Sequence, residues 1–219
     1  MGLISEEDKK YLKEEFEKNL KDEVKIYIFT VKDNSCRYCK ETVEISQELA
    51  TLSDLIEVKE FDLSSEEAKK MGIEHAPTTV ITDGKNYGSR IRYIGIPAGY
   101  EFSSLVEDIM SVSKRKVDFD EHVKEHLDQI DSPIRIQVFV TPTCPYCPKA
   151  VRVAHKFAQY NDNVIGEMIE SIEFPDWADK FGVSSVPHIV INEDVQFVGA
   201  YPEENFIEFV MEAYNKTKS

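Results

Sequence analysis

The chain contains no apolar run approaching the roughly 18 residues that a membrane-spanning helix needs. Its opening, MGLISEEDKK, lacks a basic start followed by an apolar stretch, so no secretory signal is expected and the cytoplasm is the expected location. Positive charge is in deficit: 26 Lys and Arg stand against 41 Asp and Glu, a formal charge of −15. Phosphates attract Lys and Arg, so neither nucleic acid nor a membrane surface is the expected partner. Tryptophan is scarce; the single one, Trp177, reads as packing within a helix. No phosphate loop, serine elbow or histidine metal box is visible. What remains is a globular composition, 42% apolar and 31% charged over 219 residues. That length suits one large domain or two of about 100 residues.

Cysteine is also sparse, and none is left over for a long-range staple. The four present form two pairs with spacing i, i+3: Cys36-Arg37-Tyr38-Cys39 and Cys144-Pro145-Tyr146-Cys147. Random placement produces such a double pairing on the order of once in several thousand sequences, so the pattern needs a cause. A disulfide within either pair closes a very small ring and adds little stability through chain entropy. The spacing therefore points to metal binding or reversible redox chemistry rather than scaffolding.

The chain is written twice. Val24 to Phe29 precedes the first pair and Ile134 to Phe139 the second; both alternate and are rich in β-branched and aromatic residues, as strands are. Amphipathic stretches follow, Thr42 to Leu55 and Ala150 to Tyr160, each predicted as a helix. Met71-Gly72-Ile73-Glu74-His75-Ala76-Pro77 then matches Phe181-Gly182-Val183-Ser184-Ser185-Val186-Pro187 at an offset of 110. The cysteine pairs are offset by 108, so the first strand-to-cysteine loop is two residues longer. Short strands follow at Ile91 to Gly95 and Val195 to Gly199, with closing helices near 101–113 and 203–216. Polar helices near 5–20 and 119–130 open the halves. The predicted order is α-β-α-β-α-β-β-α, twice, with parallel pairing across the crossover helix and a terminal hairpin. The halves are expected to divide at residues 1–117 and 118–219, near the basic run Lys114-Arg115-Lys116.

A strand, a CxxC at a helix start, and a Val-Pro about 40 residues later before another strand resemble the thioredoxin fold. Cys144-Pro145-Tyr146-Cys147 with Val186-Pro187 and Phe197-Val198-Gly199 resembles glutaredoxins in particular. Two such units in one chain resemble the protein disulfide oxidoreductases of thermophilic archaea and bacteria, over essentially the whole length. The fold class that this resemblance implies is α/β, two tandem thioredoxin-like units, each a mixed four-stranded sheet with flanking helices. It also implies protein dithiol and disulfide substrates, no bound cofactor beyond the redox-active disulfides, and electrons drawn from NADPH through a thioredoxin-reductase-like flavoprotein. One departure matters. Thioredoxins carry a buried Asp on the strand six residues before the first cysteine; Val138 stands there in the second half, and Ile26 to Phe29 offers no carboxylate in the first.

Thiol–disulfide exchange needs a thiolate. A helix N-terminus lowers a cysteine pKa from roughly 8.5 to roughly 3.5–7 in such motifs. Cys36 and Cys144, where a strand gives way to a helix, are assigned as nucleophiles; Cys39 and Cys147, one turn deeper, as resolving thiols. Pro145 and Pro148 are expected in the first helical turn. Pro77 and Pro187 are expected to be cis, with Ala76 and Val186 offering backbone groups to an extended substrate. Tyr38 and Tyr146 are expected to line that groove. His75 and His188 fall at non-equivalent places in the repeat and read as ordinary surface or strand residues. Between Ser132 and Asn161 there is no acidic residue, while Arg135, Lys149, Arg152 and Lys156 are present. Cys144 is therefore expected to be the more acidic nucleophile. Two other readings compete. A four-thiolate zinc site is disfavoured by the 104 residues between the pairs, and no metal is expected. A redox-inert peptide-binding module is disfavoured by the retention of both pairs.

Overall fold

The computed structural model describes residues 2–33, 35–85 and 87–218. The first half runs α1 (Glu6–Asn19), β1 (Val24–Thr30), α2 (Cys39–Ala50), β2 (Ile56–Asp62), α3 (Glu66–Met71), β3 (Thr78–Thr82), β4 (Ile91–Ile94) and α4 (Glu101–Lys114). The second runs α5 (Glu121–Asp128), β5 (Ile134–Val140), α6 (Cys147–Tyr160), β6 (Val164–Glu170), α7 (Pro175–Lys180), β7 (His188–Ile191), β8 (Val195–Val198) and α8 (Glu203–Thr217). The order is that expected from the repeat. Strands β1 and β2 pair in parallel and β1 and β3 antiparallel, in the order β2-β1-β3-β4. Strands β5 and β6 pair in parallel, β5 with β7 and β7 with β8 antiparallel, in the order β6-β5-β7-β8.

The chain divides into two compact units, Met1–Ser89 with Tyr93–Ile96 and Val106–Lys116, and Arg90–Arg92 with Pro97–Leu105 and Val117–Ser219. In the first, Val24, Ile26 and Ile28 alternate along β1 and are fully buried, as period-2 patterning demands. Phe29, Ala68, Ile73 and Val80 form a core cluster that seats α3 against the sheet. Phe139 takes the matching place in the second unit and meets Trp177, Phe181 and His188 ring to ring. Trp177 thus packs as the sequence predicts. The side chains of Ser5, Ser65 and Asp120 accept the N–H groups of Asp8, Ala68 and Val123, starting α1, α3 and α5. Gly72 and Gly182 follow α3 and α7 with φ of +63° and +64°, a left-handed turn that glycine enters without a Cβ clash. That turn aims each chain at its proline five residues on.

Several helix boundaries differ from expectation: α2 and α6 already begin at Cys39 and Cys147, ahead of Thr42 and Ala150. The helix predicted to reach Leu55 stops at Ala50, because Ser53 Oγ accepts the Leu55 N–H and the Leu55 carbonyl is taken by the N–H of Val24 at 2.8 Å. The helix predicted over 119–130 spans 121–128; Phe119 is instead buried against Phe157 and Tyr160.

The units differ in their buried polar groups. In the first, the Tyr93 hydroxyl donates to Asp108, both fully buried. In the second, the buried carboxylate of Glu167 accepts from Arg92 at 3.2 Å and Arg135 at 2.7 Å. His155, on α6, is fully enclosed.

Candidate active site

Each CxxC lies on the loop between a central strand and a helix. Tyr38 and Tyr146 occupy the N-cap positions, so Cys39 and Cys147 are the first helical residues and Cys36 and Cys144 sit two residues before the caps. Pro148 lies in the first turn of α6, where a missing N–H is harmless. Pro145 does not: it belongs to the turn ahead of the cap, because the helix starts one turn later than the motif suggests. A helix leaves its first N–H groups without intrahelical partners. One of them, the N–H of Cys147, donates to Cys144 Sγ at 3.1 Å.

Both pairs are closed as disulfides, with Cα–Cα separations of 5.6 Å for Cys36–Cys39 and 5.5 Å for Cys144–Cys147, well inside the bridging range. In each pair the second cysteine is the more enclosed: Cys36 is partly exposed and Cys39 9% exposed, while Cys144 is 7% exposed and Cys147 is completely buried.

The Ala76–Pro77 and Val186–Pro187 peptide bonds are both cis. Pro77 O accepts the Gly95 N–H and Pro187 O the Gly199 N–H, each at 2.9 Å, tying each proline to the neighbouring strand. The structure brings Val186 to the second site, its carbonyl oxygen 3.7 Å from Cys144 Sγ. Ala76 and Val186 remain partly exposed. Tyr146 is 71% exposed at the rim of its site. Tyr38 is partly covered, with the Arg37 guanidinium 5.1 Å from its ring centre. His188 is packed in β7, its Nε2 3.0 Å from Gln196.

A cleft of about 880 Å³ borders the first disulfide, lined by Thr30, Cys36, Arg37, Cys39, Lys40, Glu44 and Glu60 among others. Sequence alone does not single out Glu60. It arrives through the parallel register, in which Ile28 pairs with Glu60 and Thr30 Oγ1 donates to Glu60 at 2.8 Å. The matching pair in the second unit is Val138 with Met168, an apolar residue fully buried. Ile28 and Val138 themselves are buried and carry no carboxylate, as the sequence predicts. Asp33, also on the cleft, is held below the ordinary carboxyl range by the hydroxyl and N–H of Ser35.

The basic stretch of the second unit is partly neutralised from outside itself. Arg135 pairs with Glu167 and Lys156 with Glu203. Behind the loop to Cys144, the N–H of Tyr100 donates to Pro142 O at 3.0 Å. The next residue, Glu101, is 1% exposed; burial pushes its carboxyl up to about 7, against a smaller opposing effect of the Ser104 hydroxyl. Nothing in the sequence distinguishes Glu101 from the other acidic residues of an acidic chain.

A thioredoxin domain family model matches residues 134–212. Thioredoxin of Methanocaldococcus jannaschii is 41% identical over 80 residues, covering 36% of this chain and 94% of that protein. The crystal structure of a protein disulfide oxidoreductase from Aeropyrum pernix superposes with a TM-score of 0.87 at 32% identity, over 97% of this chain and 94% of that one. A domain of the alkylhydroperoxide reductase AhpF from Enterococcus faecalis superposes with a TM-score of 0.85 at 26% identity, over 94% and 99% respectively. Other relatives are longer: the chain spans 27% to 34% of the NADH dehydrogenases and of the Pseudomonas aeruginosa hydroperoxide reductase that it matches at 25% to 26% identity. With two helix-capping CxxC disulfides on a repeated α/β unit, the chain belongs to the thioredoxin family and, across its length, to the protein disulfide oxidoreductases within it.

Proposed function

We propose that each half of the chain, the halves meeting near residue 117, carries out thiol–disulfide exchange on protein substrates with its own pair. Reduced Cys36 or Cys144, as thiolate, attacks one sulfur of a substrate disulfide. The substrate S–S bond breaks, a mixed disulfide forms, and the departing substrate sulfur takes up a proton. The thiolate of Cys39 or Cys147 then attacks the cysteine sulfur of that mixed disulfide. The protein disulfide closes and the substrate leaves as a dithiol. Run backwards, the same steps oxidise a substrate.

The observation that carries this reading is the position of each disulfide at a helix start, with the first cysteine less enclosed than the second. The backbone of Ala76 and Val186, beside Pro77 and Pro187, offers hydrogen-bonding groups to an extended substrate segment, which pairs as an added strand. Tyr38 and Tyr146 flank that segment. Recharging in the reductive direction is assigned to a flavoprotein of the thioredoxin-reductase kind using NADPH, a reading supported by the family resemblance and the likeness to a hydroperoxide reductase domain. The expected setting is the cytoplasm, with disulfide-bearing proteins as clients.

Insulin reduction with dithiothreitol tests the assignment. Cys36→Ser and Cys144→Ser are each expected to remove one site's contribution, and the double variant to fall to background. Undiminished turnover in the double variant overturns the proposal. NADPH consumption with a thioredoxin reductase supplied as partner tests the electron source.

A further inference from the structure

We propose that His122, His126 and Glu208 form a binding site for a divalent transition-metal ion of the zinc class, which clamps α5 to α8 in the second unit. His122 and His126 are spaced i, i+4 on α5 and therefore share one helical face, with ring centres 4.4 Å apart. Glu208 comes from α8 and places Oε1 3.0 Å from His122 Nε2. One donor atom from each of the three residues lies within 4.8 Å of the others. Metal bonds of about 2.0–2.2 Å to nitrogen and oxygen put neighbouring ligands about 3.4 Å apart. Small side-chain rotations close that difference.

The donor set selects the ion. Two imidazoles and one carboxylate suit zinc and its neighbours and are poorly matched to calcium or magnesium, which prefer oxygen. The tautomer of His126 suits it as well. His126 Nδ1 lies 2.8 Å from the backbone carbonyl of His122, and a carbonyl only accepts, so Nδ1 carries the proton and Nε2 keeps its lone pair. A metal-bound histidine is commonly oriented in this way by a carbonyl beyond the first ligands. The helices are already held in place: the Tyr214 hydroxyl of α8 donates at 2.6 Å to the carbonyl of Gln129, next to the end of α5. The His122 and Glu208 side chains are 50% and 58% exposed, so an ion can enter and water can fill the remaining coordination. Sequence spacing hid the site, because Glu208 lies 82 residues beyond His126.

The test is a zinc titration of the fully oxidised protein, in which the CxxC sulfurs are bridged and do not compete as thiolates. Saturable uptake of one zinc per chain is expected, with a rise in unfolding temperature followed by Trp177 fluorescence. Losing a group that merely orients a metal ligand costs 10–100-fold in affinity, so His122→Ala with His126→Ala is expected to weaken binding about 100-fold or more and to abolish the thermal shift. Glu208→Gln is expected to weaken it about tenfold. Absence of saturable uptake by the wild-type chain, or equal affinity in the double histidine variant, overturns the site.

Discussion

The two CxxC sites occupy the same place in the same fold and meet different surroundings. At the first, Cys36 is partly exposed and borders a cleft that also holds Asp33, Glu44 and Glu60, against the cations of Arg37 and Lys40. At the second, Cys144 is 7% exposed and accepts the Cys147 N–H. Met168 stands where Glu60 stands in the first unit. Burial favours the neutral thiol, whereas a helix N–H aimed at the sulfur favours the thiolate. A hydrogen bond to a charged group contributes about 1.5–3 kcal/mol. Nearby carboxylates work against the thiolate at the first site. The two units therefore share the geometry of exchange and differ in the electrostatics around it.

The largest measurable contrast concerns stability. Two strongly displaced titrating groups, Glu101 and His155, sit in the second compact unit. Glu101 in the folded state titrates at about 7 rather than 4.5, so the fold binds its proton more tightly than the unfolded chain does. Its stabilising effect is present in acid and is lost as pH rises from about 4.5 through 7. His155 is opposite: burial, with Arg152 adding, lowers it from 6.5 to about 3, so stability is full above 6.5 and declines as pH falls toward 3. The second unit is squeezed from both sides, with greatest stability in the mildly acidic range between. Glu101→Gln is expected to remove the alkaline loss, about 2–3 kcal/mol between pH 5 and 8. Denaturant unfolding followed by Trp177, which lies in α7 of that unit, reads this directly; an unchanged pH slope in the variant refutes the assignment.

The next contrast is in the thiols. Alkylation rates against pH, with the other pair replaced by serine, are expected to place Cys144 about one pKa unit below Cys36, roughly 1.4 kcal/mol. A lower value at Cys36 reverses the comparison. The smallest effect is expected from Glu60→Gln, because Glu60 is exposed and water screens it. Removing its charge should lower the Cys36 pKa by a few tenths of a unit and leave Cys144 unmoved. An equal shift at both cysteines breaks the claim that the cleft acts on its own site.

Much of the fold is legible in local signals. The alternation of Val24, Ile26 and Ile28, the glycine turns at Gly72 and Gly182, and the duplicated Pro77 and Pro187 foretell every element in order. The exceptions are helix ends. A leucine at 52 or 55 continues a helical period on paper, but the demand of Val24 for the Leu55 carbonyl comes from a distant strand. Counting charges along the basic stretch overstates its potential for the same reason: Glu167 and Glu203 lie outside it in sequence and against it in space.

The sequence by itself determined the repeat, the two cysteine pairs at helix starts and the cis prolines beyond them, because period, cap and turn chemistry act over a few residues. Tertiary structure alone decided which carboxylate borders which sulfur, which lysines and arginines are neutralised, and that two histidines of α5 meet a glutamate of α8. Strand register and helix packing set those neighbours, and they join residues that sequence holds 30 to 86 positions apart.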